Sequence, residues 1–199
     1  MIKAIIFDYG GVLSAEASLQ SFGAYYAPKF GKNPEEFSKL IIENWRLARV
    51  SDISSKLFWK NLAEFIGIAP DVLRKDFLAF FGFREEVFEL VKELKKKKYK
   101  LGLLSNQIED WLEEVIENRK FNKTFDVIVT SYKSRIAKPD VSIFEEIVEK
   151  LKVKPAECIY IDDLKRNIPP AKQLGMKTIL FTDLKQLKKE LAAFSVKID

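Results

Sequence analysis

Ile5-Ile6-Phe7-Asp8-Tyr9-Gly10-Gly11-Val12-Leu13 places an acidic residue where an apolar run meets two glycines. The run over residues 2–7 is β-branched and aromatic, and reads as a strand buried on both faces. Asp8 then sits at the strand's carboxyl end, where open parallel α/β sheets place their ligands. Gly10 and Gly11 allow a sharp exit and a close approach of backbone to a bound group. Asp8 is therefore a candidate nucleophile or metal ligand. Taken alone, the motif fits a turn-forming Asp equally well.

Working outward, residues 14–83 carry helix-compatible sequence with polar interruptions and no convincing strand. Asn33-Pro34-Glu35-Glu36 is a helix start, with a side-chain cap, proline in the first turn and acids at the positive dipole end. Ser54-Ser55-Lys56 and Ala69-Pro70-Asp71 open two further helices. This stretch predicts a small helical unit, rich in Phe and Trp, inserted after the first strand. From Arg84 onward the texture becomes strand–helix alternation. Helices are expected over 85–98, 108–118, 142–151 and 169–174, with a Lys-rich one at the C-terminus. Strands are expected over 99–104, 125–130, 158–161 and 178–181. Such repetition predicts an α/β fold with a doubly wound parallel sheet and right-handed crossovers.

In a parallel sheet the carboxyl ends of the strands share one edge. The first strand ends in Asp8, and Leu103-Leu104 runs into Ser105-Asn106. Val127-Ile128-Val129 is followed by Ala137-Lys138-Pro139-Asp140, and Ile159-Tyr160-Ile161 by Asp162-Asp163. Singly, these are a helix cap, a surface lysine and a turn. Together they bring carboxylates, a hydroxyl, amides and an ammonium to one rim. That set suits phosphoryl transfer. Asp8 and Asp163 offer oxygen ligands to a hard cation such as Mg²⁺. Ser105, Lys138 and helix-start N–H groups suit phosphate oxygens, and Asp8 is placed to attack phosphorus.

Composition narrows the chemistry. The 199 residues contain no histidine, which removes serine–histidine and cysteine–histidine hydrolases and ordinary zinc sites. A net charge of +5 suits an anionic substrate but is too small to indicate nucleic acid. The one cysteine, Cys158, lies in an apolar run and reads as core, which excludes an internal disulfide and fits a reducing compartment. No apolar run reaches the roughly 18 residues of a membrane helix, and the first strand begins at the chain start. A cytoplasmic location is the expectation.

The ordered motifs resemble the haloacid dehalogenase superfamily, in the branch with a helical cap inserted after the first strand. They are Phe7-Asp8-Tyr9-Gly10-Gly11-Val12-Leu13, Leu103-Leu104-Ser105-Asn106, Lys138-Pro139-Asp140 with Ile143-Phe144, and Ile161-Asp162-Asp163 with Asn167, Ala171 and Gly175. The resemblance implies a Rossmann-like core over 1–13 and 84–199, with a cap over 14–83. It implies Asp8 as nucleophile, with Ser105, Asn106 and Lys138 holding the transferring group. It assigns Asp163 and the Gly10 carbonyl to Mg²⁺ beside Asp8, with Asp162 acting mainly through water or hydrogen bonds. The implied activity is an Mg²⁺-dependent phosphatase acting on a small phosphorylated metabolite through an aspartyl-phosphate.

One position departs from that pattern. Phosphatases of the family usually carry a second Asp two residues after the nucleophile, as acid and then base. Here it is Gly10. A positioned acid/base contributes about 10²–10⁴-fold, so its loss predicts a slower enzyme rather than an inert one. Tyr9 should point away and pack, whereas Glu16 or another acid from the helical unit is a possible replacement. Two alternatives stand beside the phosphatase. One is a non-hydrolytic phosphometabolite-binding or regulatory protein. The other is a 2-haloacid dehalogenase, which Gly10 and the Asp162-Asp163 pair argue against. In the helical unit Tyr25, Tyr26, Trp45, Arg46, Arg49 and Trp59 are candidate contacts, though core packing and a solvated face explain them as readily. Neither substrate identity nor oligomeric state has a signature in the sequence.

Overall fold

The computed structural model describes residues 1–198. Its sheet is built from β1 (Ala4–Phe7), β2 (Lys100–Ser105), β3 (Val127–Thr130), β4 (Cys158–Asp162) and β5 (Lys177–Leu180). All neighbours pair parallel, in the order β3-β2-β1-β4-β5. The order reverses between β1 and β4. At such a switch point the chains leaving the two strands diverge and open a crevice. Asp8 follows one of these strands and Asp162 ends the other. Both strands are buried along their whole length, as their unbroken apolar runs require.

Residues 14–83 hold α1 (Leu19–Tyr26), α2 (Pro34–Ala48), α3 (Ser55–Ile66) and α4 (Pro70–Phe81). Asn33 caps α2 by accepting from the Glu35 and Glu36 N–H groups, and Ser54 caps α3 through Leu57. α1 lies within the stretch expected to be helical and contains Gly23. A Cβ at Gly23 would lie 2.1 Å from Ser38 Oγ on α2, so the glycine is what lets the two helices meet. The chain leaves and re-enters the sheet region along paired connectors. Ala15 and Glu16 donate to the Phe81 carbonyl, and Arg84 N–H donates to Leu13.

The remaining helices are α5 (Glu85–Lys96), α6 (Glu109–Asn118), short α7 (Phe121–Thr124) and α8 (Ser131–Ser134), α9 (Val141–Leu151), α10 (Ile168–Gln173) and α11 (Leu184–Ala193). Successive strand residues point to opposite faces, which sorts the core into two layers. Ile5, Phe7, Leu103 and Ile161 pack with α5, α6 and α11, whereas Ala4, Ile6, Leu104 and Tyr160 pack with α9 and α10. The first layer continues without a break into the aromatic interior of α1–α4. Trp111 of α6 is the junction, with Phe77, Phe81 and Tyr9 rings 4.7–6.2 Å from its own. Tyr9 is thus a packing residue.

Polar contacts reinforce that seam. Asp110 Oδ2 accepts from Trp59 Nε1 at 2.7 Å and Arg74 Nε at 2.9 Å, and Arg74 also reaches Glu114. Ser51 Oγ donates to the Tyr132 carbonyl. Among the described residues, no helix is long and apolar enough to cross a membrane.

Candidate active site

The ends of β1, β2 and β4 and the loop before α9 meet around the ammonium of Lys138. This lysine is only 2% exposed. Its Nζ lies 2.8 Å from both Asp8 Oδ1 and Asp162 Oδ2, and 2.9 Å from the Leu104 carbonyl. Asn106 sets its backbone, donating to the Lys138 carbonyl while accepting from its N–H, both at 2.9 Å. Three acceptors exhaust the donors of an ammonium, so Lys138 sits as a fixed charge.

The acidic doublet splits into two environments. Asp162 is fully buried and saturated. Its Oδ1 accepts from Leu164 N–H and Asn167 Nδ2, and its Oδ2 from Lys138, Asn167 and the Tyr160 hydroxyl. Asp163 instead lines the open cavity, and its Oδ1 is buried without a hydrogen-bond partner. Oxygens of Asp8, Asp162 and Asp163 come within 4.8 Å of one another. Adjacency in sequence thus conceals different surroundings.

Charge crowding follows from this geometry. Burial pushes the Asp8 carboxyl up to about 8, Lys138 opposing and the two nearby acids reinforcing. Burial, with Asp162, raises Asp163 to about 6. Burial also opposes the charge on Asp162, but the Lys138 ammonium and the hydrogen bonds around it hold its carboxyl below the usual range. Burial likewise works against the Lys138 charge, and the two carboxylates outweigh it to raise its pKa. Two neighbouring acids whose ionisation is resisted, Asp8 and Asp163, the latter with an orphaned oxygen, suit a small dication.

The glycine pair serves two purposes. Gly11 has φ +70°, and a Cβ there would come within 2.3 Å of Asp163 Oδ2. Only glycine lets the turn and that carboxylate share the space. Gly10 lines the cavity and has nothing within 4 Å of the place a Cβ would take. Room for a side chain exists there and is unused.

A cavity of about 510 Å³ opens over Asp8, Gly10, Asn106, Lys138 and Asp163. Ser105 does not line it. Its hydroxyl is buried behind the rim without a partner. Asp162 also stands behind the cavity wall, reaching it through Lys138. The helical segment contributes Ile42, Trp45, Arg46 and Arg49, spaced to form one stripe of α2. The opposite stripe, with Phe37, Ile41 and Ala48, is buried. Of the aromatic candidates, Trp45 lines the cavity, Tyr26 and Trp59 are core, and Tyr25 is exposed. Glu16 lines the cavity too, with Oε1 accepting from Ala17 and Ser18 N–H.

Three contributors escaped the sequence reading. Gln107 accepts from Trp45 Nε1, Arg166 lines the cavity beyond β4, and Tyr160 holds Asp162. Tyr160 and Asp162 share a strand face at period two, a signal that was available.

A sequence model of haloacid dehalogenase-like hydrolases matches residues 5–181, from the first strand to the last. The chain belongs to this family. Pyrophosphatase PpaX of Bacillus cereus is 32% identical over 183 residues, covering 89% of this chain and 82% of the relative. Bifunctional epoxide hydrolase 2 of Sus scrofa is 30% identical over 105 residues, which is 49% of this chain. The match spans 18% of that longer protein. Among solved structures, a haloacid dehalogenase family enzyme from Bacteroides thetaiotaomicron in complex with magnesium and inorganic phosphate superposes with a TM-score of 0.75. It is 25% identical, covering 94% of this chain and 99% of the other. The fold and these likenesses together establish membership of the family.

Proposed function

We propose that the chain is an Mg²⁺-dependent phosphatase acting on a small phosphorylated metabolite, with residues 14–83 serving as a cap over the 1–13 and 84–199 core. The observation that carries this reading is the rim itself. Asp8, Lys138 and Asp163 stand around one cavity, with an unpartnered carboxylate oxygen beside them. The similarity to a pyrophosphatase and to a magnesium–phosphate complex supports the same chemistry.

Asp8, Asp163 and the Gly10 carbonyl would hold the metal, with Asp162 fixing Lys138 rather than ligating. When bound, Mg²⁺ supplies positive charge that favours the ionised carboxylates and neutralises phosphate oxygens. Asp8 Oδ1 accepts from the Tyr9 N–H and lies against Lys138, which orients the carboxylate that attacks. Attack on phosphorus releases the substrate's alcohol and forms an aspartyl-phosphate, which water then opens to restore Asp8. Lys138 lends its fixed charge to the phosphoryl oxygens from the place Asn106 holds it in, and Ser105 stands behind the rim. With Gly10 in the acid's usual place, protonation of the leaving group falls to solvent or to Glu16 on the cap side. Gly10 also keeps open the non-hydrolytic reading, in which the same site binds phosphometabolites without turnover.

Hydrolysis of an aryl phosphate tests this directly. Activity that requires Mg²⁺, disappears with chelator and is lost in Asp8→Asn is expected. Phosphate binding without turnover in the wild type would instead establish the binding protein. Halide release from a 2-haloacid without metal would overturn both.

A further inference from the structure

Besides Asp8, Lys138 and Asp163, the cavity is lined by three arginines from two separate elements. Arg46 and Arg49 come from α2 and its C-cap, and Arg166 comes from the turn after β4. Among the described residues, none of the three has a carboxylate within ion-pair distance. Arg74 and Arg119 elsewhere both do. Arg49 is the telling case. Its guanidinium sits over the Trp45 ring, 4.7 Å from the centroid, while its Nε is buried with no hydrogen-bond partner. Stacking on Trp45 fixes the plane of the group and leaves its edge donors unclaimed. Burial and the cations of Arg166 and Arg46 also disfavour its charge. The acid on this wall, Glu16, already accepts from two backbone N–H groups through Oε1.

Arg49, part-buried with an unpartnered Nε and two further guanidiniums near it, is the group an anion would relieve. Arg46 and Arg166 stand exposed on the same cavity wall, Arg166 also acting on Asp163. The phosphoryl group cannot be that anion if it is to react at Asp8, where Lys138 and a cation held by the acids would meet its charge. We propose that Arg46, Arg49 and Arg166 form a second anion subsite, so that the substrate's leaving group carries its own carboxylate or phosphate. This deepens the phosphatase reading and rests on it. A cavity of about 510 Å³ suits a small molecule bearing two anions, with Trp45 covering the apolar stem between them.

The test is a panel in which each phosphorylated hydroxy acid or bisphosphate is paired with the uncharged-alcohol phosphate of similar size. The wild type should favour the doubly anionic member by about tenfold or more in kcat/KM. That preference should fall by a similar factor in Arg49→Met and in Arg166→Met, the second variant altering an exposed residue on a different element. The carboxylate and phosphate arms identify which anion the subsite takes. Equal kcat/KM for both members of every pair overturns the proposal. Calorimetric titration of the Mg²⁺-loaded protein with inorganic phosphate and with pyrophosphate reads the subsite without turnover. Tighter pyrophosphate binding that Arg166→Met weakens supports it, and equal affinities overturn it. Absence of turnover on the whole panel would remove the phosphatase reading, and the titration would then decide the subsite alone.

Discussion

Lys138 and Arg49 are cations beside the same cavity, and they are held in opposite ways. Lys138 is clamped by two carboxylates and a carbonyl before any ligand arrives. Arg49 leans on an aromatic ring with a buried nitrogen unclaimed. The difference runs through both regions. On the sheet side, Asp162 accepts at both oxygens and Asn106 locks the Lys138 backbone. On the helical side, the groups reaching the cavity are arranged on one stripe of α2 but left without charge partners. On the proposed function, one side is set in advance for a reacting centre common to many substrates, and the other awaits whatever distinguishes one substrate from another. Preorganised charge serves catalysis, and open donors serve recognition.

The largest test of that contrast removes the clamp. Lys138→Met leaves Asp8 and Asp162 buried without their counter-charge. Breaking such a pair costs about 3–5 kcal/mol, so urea denaturation should show a loss of that size together with abolished turnover. A loss below about 1 kcal/mol would mean that the acids accommodate each other, and that the rim is not held by charge.

A finer test uses the adjacent glycines. Gly11→Ala combines a left-handed backbone with a methyl 2.3 Å from Asp163 Oδ2. It should destabilise by about 1–3 kcal/mol and weaken Mg²⁺ binding, read by thermal melts with and without the ion. Gly10 does not share the positive φ and has open space, so Gly10→Ala should be stabilising by about 0.4–1 kcal/mol. Similar losses for both would show that the turn, rather than the carboxylate, sets the requirement at Gly11.

Which parts were legible in the sequence follows the same division. Strand ends could be read because buried parallel strands are apolar until they stop, and Asp8, Asn106, Lys138 and Asp163 all line one cavity. Helix starts at Asn33 and Ser54 were legible because capping is local chemistry. Illegible features depend on a partner distant in the chain. The need for glycine at 23 is visible only once Ser38 packs against it. Ser105 and Asp162 sit at the strand ends yet do not line the cavity. Arg46 and Arg49 have the spacing of a helix face, but whether that face meets solvent or a cavity depends on how α2 docks.

The smallest test concerns the seam that brings the two sides together. Trp59→Phe keeps a ring against Phe58 and Phe77 while removing the donor to Asp110 Oδ2. Arg74 still reaches that oxygen, so Oδ2 keeps a partner, and the loss should be that of one hydrogen bond to a charged group shared with another donor. About 1 kcal/mol is expected in the same urea experiment, with a single transition, because one apolar cluster runs through the sheet and α1–α4. Two transitions would mean that the aromatic junction at Trp111 cannot hold the sides together without Asp110. The helical wall would then owe its place over Asp8 to that carboxylate rather than to packing.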